Sequence, residues 1–243
     1  VSESLRTVVL DLGLVSPERI CVLGSGSANG IDLDRFRPTG PERKKGVRDA
    51  LGVPSDARVV AQVGRLCADK GLFLIPEVAS RLTQESDVHF LLVGGVDQSD
   101  EQSLASLDAL RAMPRVHLLG HTDSIEDIYS AADVLLLLTR REGLGNVLLE
   151  ASASGIPVVA TTATGTVDAV IDGVTGSLVP FEVGTVVDAV HSYIDEPARA
   201  RTVGLAGREF VEDRFEQRAV WHRWIGFVDG SALGRRRDAR AHR

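Results

Sequence analysis

Two acidic residues, Glu142 and Glu150, flank a short glycine-bearing segment with the sequence EGLGNVLLE. The glycines free the backbone, and Asn146 is a suitable first residue for a helix that carries Glu150 one turn along. Because a helix rises about 1.5 Å per residue, the two carboxylates lie at different depths of one cleft. This spacing suits two acids that accept hydrogen bonds from separate hydroxyls of a long ligand, whose anionic middle faces the amides between them. Locally, Glu150 fits equally well as an acid that complements the helix N-terminus.

A second candidate site lies in VGRLCADKG, residues 63–71, at the end of an apolar run. We expect Arg65 to leave the carboxyl end of a strand, Asp69 to cap the next helix, and Lys70 to lie in the first turn of that helix. The helix dipole disfavours a cation there, which suggests an anion nearby. Arg65 and Lys70 would together neutralise a phosphate or diphosphate. The alternative is a pair of ordinary surface cations.

Other glycine and histidine positions give weaker signals. The stretch GSGSANGIDLDRF at 24–36 is a glycine-rich turn without the GxGxxG pattern or lysine of a phosphate-binding loop. His89 and His117 fall within apolar runs and fit structural positions, whereas His121 follows a strand end and is a candidate for the pocket. Histidine, cysteine and acidic residues lack the spacing of a metal site. We therefore expect a ligand site that needs neither metal nor cofactor.

The elements that must position these residues alternate along the chain. Their apolar runs are apolar at consecutive positions, which indicates strands buried on both faces of a parallel sheet. The βαβα order predicts an α/β, doubly wound, Rossmann-like sheet, in which ligands bind beyond the carboxyl ends of the strands. Strands are predicted at 20–24, 59–64, 88–94, 116–120, 133–138 and 156–161, and helices near 75–82, 101–112, 124–132, 146–154, 165–171 and 184–195.

Composition restricts the class of protein. The 243 residues are 44% hydrophobic and 25% charged, which suits a soluble chain with a real core. A formal net charge of −7 argues against a general nucleic-acid binder, and we interpret the basic tail GRRRDARAHR as solvated. There is no run of about 18 apolar residues and no secretory leader, so we expect a cytoplasmic protein. Cys21 and Cys67 are expected to be buried thiols of a reducing compartment.

Three further segments give local predictions. Ser2 has the position of a helix cap, and the absence of an initiator Met before it suggests a piece cut from a longer chain. The polar stretch 40–51 is expected to enter a surface helix. The helical stretch 215–228 carries Trp221 and Trp224 and therefore needs a partner surface.

With these residues in hand, the chain resembles the C-terminal, donor-binding domain of the retaining nucleotide-sugar glycosyltransferases of family four, which have the GT-B fold. The resemblance runs from residue 1 to about 215, and the order of its motifs is more specific than any one of them. Within that family, the sequence resembles the capsular and exopolysaccharide members. The motifs are GSGSANGIDLDRF, VGRLCADKG, LLVGG, VHLLGHTDSIEDIYSAADVLLLL, EGLGNVLLEASASGIPVVAT and DGVTGSLVP.

The resemblance implies a role for each candidate residue. Arg65 and Lys70 would hold the diphosphate of a nucleoside diphosphate sugar, the donor substrate. Glu142 would bind hydroxyls of the transferred sugar and Glu150 those of the ribose. The catalytic set implied is therefore Glu142, Arg65 and Lys70. The other residues implied in donor binding are Gly143, Leu144, Gly145 and Asn146, through backbone amides, and Gly120 and His121, near the nucleobase.

Two departures from the family pattern put the preference for the donor sugar in question. Leu138 and Thr139 stand where many relatives have Pro-Ser before the EG motif, and TGTVD at 164–168 replaces Gly-Gly-x-Pro-Glu. The family's acceptor-binding N-terminal domain is also missing from this sequence. We expect residues 1–214 to form the donor domain and residues 215–243, a helix and basic tail, to pack on that missing domain.

These inferences predict the donor-binding half of a retaining glycosyltransferase that transfers a sugar to a hydroxyl acceptor. We expect the whole enzyme to act in polysaccharide or glycoconjugate biosynthesis. The partners expected are the donor nucleotide, an acceptor bound by the missing domain and, for the whole enzyme, a membrane surface. The chain alone is expected to be inactive. The alternatives are a nucleotide-sugar epimerase or a phosphorylase on the same fold, and a non-catalytic sugar-nucleotide sensor.

Overall fold

Six parallel strands form the central sheet of the described chain. A computed structural model describes residues 2–85, 87–97 and 101–241, with backbone alone at 85, 101 and 231–241. The order of the strands is β3-β2-β1-β4-β5-β6, so the order reverses between β1 and β4. This is the order of a Rossmann fold, whose ligands bind at that reversal. The strands are β1 Arg58–Val63, β2 Val88–Val93, β3 Val116–Gly120, β4 Val134–Leu137, β5 Val158–Thr161 and β6 Ser177–Val179.

Helices connect the strands and cover both faces of the sheet. Three short 3₁₀ turns lie at Pro17–Arg19, Ala68–Lys70 and Leu72–Leu74. The α-helices of the described residues are α1 Glu3–Asp11, α2 Pro41–Leu51, α3 Ile75–Glu85, α4 Glu101–Arg111, α5 Ile125–Ala131, α6 Asn146–Ala153, α7 Thr166–Ala169, α8 Val183–Ile194, α9 Pro197–Phe215 and α10 Gln217–Ala241. Within this described part, no helix is long and apolar enough to span a bilayer.

The core consists of two layers, one on each face of the sheet. Because side chains alternate along a strand, Ala61 of β1 contributes to one layer and Val60 to the other. Helices α5, α6 and α9 pack on the first face, and α3, α4 and α8 on the second. The prediction of a doubly wound α/β sheet covered by helices is therefore confirmed.

Five of the six predicted strands are present, with ends that shift by no more than two residues. The strand expected at 20–24 is wrong. That segment pairs with no strand in the described chain and leads, without regular secondary structure, into the turn at Gly24. An apolar run signals burial, but a strand also needs a neighbouring backbone to bond with. The sixth strand of the sheet, β6, lies within the motif DGVTGSLVP.

One prediction of burial is wrong, and one predicted surface helix contains a buried residue. Cys67 is buried as expected, but Cys21 is exposed because its segment lies outside the sheet. Helix α2 occupies the polar stretch 40–51 and is mostly exposed, as predicted, but its Arg48 is buried. The Arg48 guanidinium is accommodated by five hydrogen bonds of 2.8–2.9 Å to the carbonyls of Ser55, Ala57 and Ala131 and to the carboxylate of Asp133.

The carboxyl ends of β1 and β2 approach closely where a side chain would not fit. A Cβ atom on Gly94, whose φ is +144°, would lie 1.8 Å from the carbonyl oxygen of Gly64. Gly94 therefore permits the close approach of the two strand ends.

The two ends of the described chain match their local predictions. The Ser2 hydroxyl accepts a hydrogen bond from the amide of Leu5 and caps α1. The helix predicted at 215–228 is α10, in which Val220 is buried whereas Trp221 and Trp224 are exposed. The predicted domain boundary at 214–215 falls in the last turn of α9. The prediction that the basic tail is solvated concerns side chains outside the described residues.

Candidate functional site

A cavity of about 530 Å³ lies at the reversal of strand order, beyond the carboxyl ends of β1 and β4. Its size is that of a small-molecule site, and its place is where open α/β sheets bind ligands. Its lining combines the ends of the two strands, the glycine-rich turn, helix α1 and the segment that leads into α6. The residues are Leu5, Gly26, Ala28, Val63, Gly64, Lys70, Leu137, Glu142, Gly143, Leu144, Gly145, Asn146 and Val147.

Lys70 and Glu142 face each other in this cavity. The ammonium of Lys70 donates to Oε1 of Glu142, and each side chain is only 17% exposed. The pair joins residues that are 72 positions apart in sequence. Since both groups are largely shielded from water, their interaction is stronger than that of a surface ion pair. An anionic ligand that enters the cavity meets a cation there, and a hydroxyl meets a carboxylate.

The local structure around Lys70 differs from the prediction. Lys70 ends the 3₁₀ turn Ala68–Lys70, and α3 begins only at Ile75, so Lys70 is not in the first turn of a helix. Gly71, with a φ of +65°, ends the turn. Asp69 does not cap a helix, because its carboxylate accepts a hydrogen bond of 3.1 Å from Arg141. The argument from an unfavourable dipole was therefore wrong, although Lys70 does reach the pocket.

The loop that carries Glu142 is held by a backbone hydrogen bond and by two threonine hydroxyls. The Glu142 amide donates to the carbonyl of Thr164 at 2.8 Å. Thr139 donates to the carbonyl of Arg141 at 2.9 Å, and the backbone of Thr139 is in turn bonded to the Thr161 hydroxyl on β5. Thr139, which stands where many relatives have serine, thus helps through its hydroxyl to fix the loop that carries Glu142.

The N-terminus of α6 opens onto the same cavity. Gly145 is its N-cap, with a φ of 76° and, within the described structure, no side-chain cap. The first amides of the helix therefore have no side-chain acceptor, and the dipole makes this end favourable for an anion. Leu148 and Leu149 are buried and anchor the helix in the core. Gly143, Leu144, Gly145 and Asn146, the four residues predicted before or at the helix start, all line the cavity.

Glu150 lies one turn further along α6 and does not line the cavity. Its Oε2 accepts a hydrogen bond of 2.8 Å from the hydroxyl of Tyr129. Burial raises the pKa of the Glu150 carboxyl, and the Tyr129 hydrogen bond opposes that shift. The two carboxylates were expected at different depths of one cleft, but of the two only Glu142 lines the cavity. No local sequence pattern indicates the contact between Tyr129 and Glu150.

Besides Glu150, three predicted residues lie outside the cavity. Arg65 is exposed and lines an adjacent hollow with Gly95, Val96 and Asp97, so the structure does not bring its side chain into the cavity with Lys70. Gly120 ends β3, and His121 is 82% exposed, with its Nε2 3.5 Å from Asp123. Their roles toward a diphosphate and a nucleobase stay predictions.

Helix α1 contributes contacts that the sequence did not indicate. Ser4 binds Asp168 of α7 through both its amide and its hydroxyl, and its hydroxyl also accepts a 2.8 Å hydrogen bond from the amide of Gly165. These contacts place Leu5 on the wall of the cavity. Partners 161 to 164 residues apart leave no local signal.

A second cavity, of about 350 Å³, lies near the amino ends of the strands. It is lined in part by Lys44, Arg58, Asp133 and Arg201, but Lys44 is already bound to Asp133 at 2.5 Å. His89 and His117, joined by a 2.9 Å contact between ring nitrogens, are linked across β2 and β3 as structural residues. Across the described residues, no three His, Cys, Asp or Glu side chains cluster as a metal site would require.

Comparison with known families identifies what this chain is similar to. Residues 57–196 match the family described as glycosyl transferases group 1. The chain is 30% identical over 223 residues to the capsular polysaccharide biosynthesis glycosyltransferase CapM of Staphylococcus aureus. This match covers 91% of this chain and 58% of the relative. It is 37% identical over 190 residues to the D-inositol 3-phosphate glycosyltransferase of Mycobacterium tuberculosis, and this match covers 75% of this chain and 37% of the relative.

Solved structures share the fold. HepE of Anabaena in complex with UDP-glucose superposes with a TM-score of 0.82 at 23% identity, over 94% of this chain and 62% of that one. Sucrose-phosphate synthase from Thermosynechococcus elongatus gives a TM-score of 0.73 at 29% identity, over 84% of this chain and 51% of that one. This chain thus spans no more than about two thirds of the length of each of these relatives.

Proposed function

We propose that the 530 Å³ cavity of this chain, which belongs to the group 1 glycosyltransferases, binds a nucleoside diphosphate sugar. The observation that carries the proposal is the Lys70–Glu142 pair beside the N-terminus of α6, at the switch point of the sheet. A cation and exposed amides suit an anionic group, and a carboxylate suits the hydroxyls next to it. The Anabaena neighbour was solved with UDP-glucose, a ligand of this class.

Each residue has a distinct role in this proposal. Lys70 and the first amides of α6 bind the diphosphate, and Arg65 reaches it from the adjacent hollow. Glu142 accepts hydrogen bonds from the transferred sugar, and Glu150 from the ribose. Gly120 and His121 lie toward the nucleobase.

The reaction we propose is transfer of the sugar to a hydroxyl acceptor with retention of configuration. The bond between the anomeric carbon and the diphosphate oxygen breaks, and a bond to the acceptor oxygen forms on the same face. The acceptor proton leaves with the departing diphosphate. The charge that develops on this leaving group is stabilised by Lys70, Arg65 and the amides of α6. We propose that these groups do this without a metal.

The acceptor would bind to a further domain of the whole enzyme, which packs against α10. Support comes from the side chains of Trp221, Trp224 and Ile225, which are 49%, 38% and 60% exposed on one helix. Apolar side chains in such a cluster favour a protein partner. Polysaccharide or glycoconjugate synthesis in the cytoplasm, with the whole enzyme peripherally bound to a membrane, is the setting we propose. The name of the CapM relative supports the polysaccharide part.

Calorimetric titration of UDP, GDP and ADP into the chain tests donor binding. Replacing a mostly buried, paired cation costs about 2–5 kcal/mol, so Lys70→Met should weaken the preferred nucleotide by about 30-fold or more. Arg65→Ala should weaken nucleotide binding more than the control Lys45→Met does, because the ammonium of Lys45 lies on the surface of α2. Equal affinities for the wild-type chain and Lys70→Met would contradict the diphosphate assignment.

Assays of the longer protein separate transferase from the alternatives. Glu142→Ala should abolish sugar transfer while leaving nucleotide binding measurable. A hydrolysing epimerase would instead release free nucleoside diphosphate from the sugar nucleotide without an acceptor. A sensor would show neither turnover nor a loss of function with Glu142→Ala.

A further inference from the structure

The buried hydroxyl of Tyr129 makes a single hydrogen bond in the described structure, and its partner is Glu150. The Tyr129 side chain is 1% exposed, and its ring packs edge-on against Phe36 with centroids 5.9 Å apart. The hydroxyl lies 2.8 Å from Oε2 of Glu150, which comes 21 residues later in the sequence. The hydroxyl donates in this contact, because the carboxylate oxygen has no proton to give when it is ionised.

The environment of this pair fixes which group is the donor. Burial and the neighbouring Glu150 raise the pKa of Tyr129 well above its ordinary value, so its hydroxyl keeps its proton at neutral pH. Burial also raises the pKa of Glu150, while Tyr129 and the positive charge of Arg35 act in the opposite direction. A neutral hydroxyl that donates to a partly buried carboxylate favours the ionised form.

The second oxygen of Glu150, Oε1, has no hydrogen-bond donor among the residues that the structure describes. It is not among the buried polar atoms that lack a partner, so it reaches solvent. One carboxylate oxygen is thus bound to a rigid, buried ring and the other is presented outward. A carboxylate oxygen accepts two hydrogen bonds, which matches the two adjacent hydroxyls of a ribose.

We propose that Tyr129 is a positioning residue for Glu150, whose free oxygen it directs toward the ribose hydroxyls of the donor nucleotide. This inference rests on the proposed function, because it needs a nucleotide in the cavity. Tyr129 does not touch the ligand; it acts by holding one carboxylate oxygen so that the other has one direction. Without the hydroxyl, the carboxylate can rotate and loses the hydrogen bond that favours its charge.

The test compares ribose with 2′-deoxyribose, because a general loss of structure would weaken both. UDP, GDP and ADP and their 2′-deoxy counterparts are titrated into the wild-type chain and into Tyr129→Phe, which keeps the ring and removes only the hydroxyl. A hydrogen bond to a charged group contributes about 1.5–3 kcal/mol, so the wild-type chain should prefer the ribonucleotide by about 10- to 100-fold. We expect Tyr129→Phe to reduce that preference to less than about 3-fold, with the affinity for the deoxynucleotide and for pyrophosphate unchanged.

Tyr193→Phe is the matched control. Tyr193 is also a buried tyrosine, 2% exposed, and its hydroxyl lies 2.8 Å from that of Ser177 on the second face of the sheet. It should lose a comparable hydrogen bond and keep the wild-type preference for ribose. Glu150→Gln should lose the preference as Tyr129→Phe does.

Two results would overturn the inference while leaving the proposed function intact. One is a Tyr129→Phe chain that keeps the wild-type preference for ribose. The other is an equal loss of affinity for the ribonucleotide, the deoxynucleotide and pyrophosphate, which would indicate a purely structural role. If the wild-type chain bound neither nucleotides nor pyrophosphate, the proposed function itself would be overturned, and this inference with it.

Discussion

Replacing Gly165 by alanine perturbs the backbone on which Glu142 rests. Gly165 precedes α7 with a φ of 83°, a conformation that residues with a Cβ atom rarely adopt. A Cβ atom there would lie 2.5 Å from the carbonyl oxygen of Glu142 and 2.9 Å from its Cβ. The neighbour on one side is therefore backbone, which cannot rotate away as a flexible side chain can.

The cost of Gly165→Ala has two parts. Holding a residue other than glycine in a sparsely populated backbone conformation costs about 1–3 kcal/mol. Overpacking costs about 1–3 kcal/mol when the surroundings must shift. Since relief of one part also relieves some of the other, we expect a net loss of about 3 kcal/mol in the free energy of unfolding. For a chain of this size, that loss lowers Tm by about 6–12 °C.

Thermal unfolding and nucleotide titration measure the two consequences. Gly165→Ala should melt earlier and also bind the preferred nucleoside diphosphate more weakly, because displacement of Glu142 disturbs its pair with Lys70. Gly143→Ala is the control for stability, since a Cβ atom there meets no heavy atom within 4 Å and its φ is not positive. A Gly165→Ala chain with the Tm and affinity of the wild type would refute the close approach of these two loops.

Three other measurements follow from the structure. Arg48→Met should lower the free energy of unfolding by about 3–5 kcal/mol, because it removes a buried charge with five hydrogen bonds, whereas Lys45→Met on the same helix should change it by less than about 0.5 kcal/mol in denaturant titrations. Gly46→Ala, in the middle of α2 with open space around it, should raise that free energy by about 0.5–1 kcal/mol. Burial raises the pKa of Glu150 in the folded state, so its contribution to stability is lost as pH rises through the range above its ordinary value of about 4.5. Glu150→Gln should therefore increase stability at pH 7–8 and gain much less near pH 4; a gain that grew on acidification would contradict the direction of the shift.

Sequence patterns predicted those parts of the fold that depend on neighbouring residues. Runs of buried apolar residues located five strands, and the glycine-bearing start of α6 located the opening of the cavity. The reversal of strand order between β1 and β4 brought Lys70 and Glu142 to the same edge, as a Rossmann-like sheet requires.

The errors and omissions concern contacts between distant segments. The extended run at 20–24 was predicted as a strand because its composition does not reveal whether another strand lies beside it. The contacts of Ser4 with Asp168 and of Tyr129 with Glu150 join residues 164 and 21 positions apart, and neither pair has a local pattern. Arg65 and Lys70 were expected to bind one diphosphate together, but Lys70 lies in the 3₁₀ turn Ala68–Lys70 and the two side chains line different hollows.

The most direct test of the central claim is a crystal structure of the chain with its preferred nucleoside diphosphate. We expect the diphosphate to lie between Lys70 and the first amides of α6, in the 530 Å³ cavity. We also expect the ribose hydroxyls within hydrogen-bond distance of Glu150. A nucleotide bound instead in the 350 Å³ cavity near Lys44 and Arg201, or bound with its phosphates away from Lys70, would contradict the account.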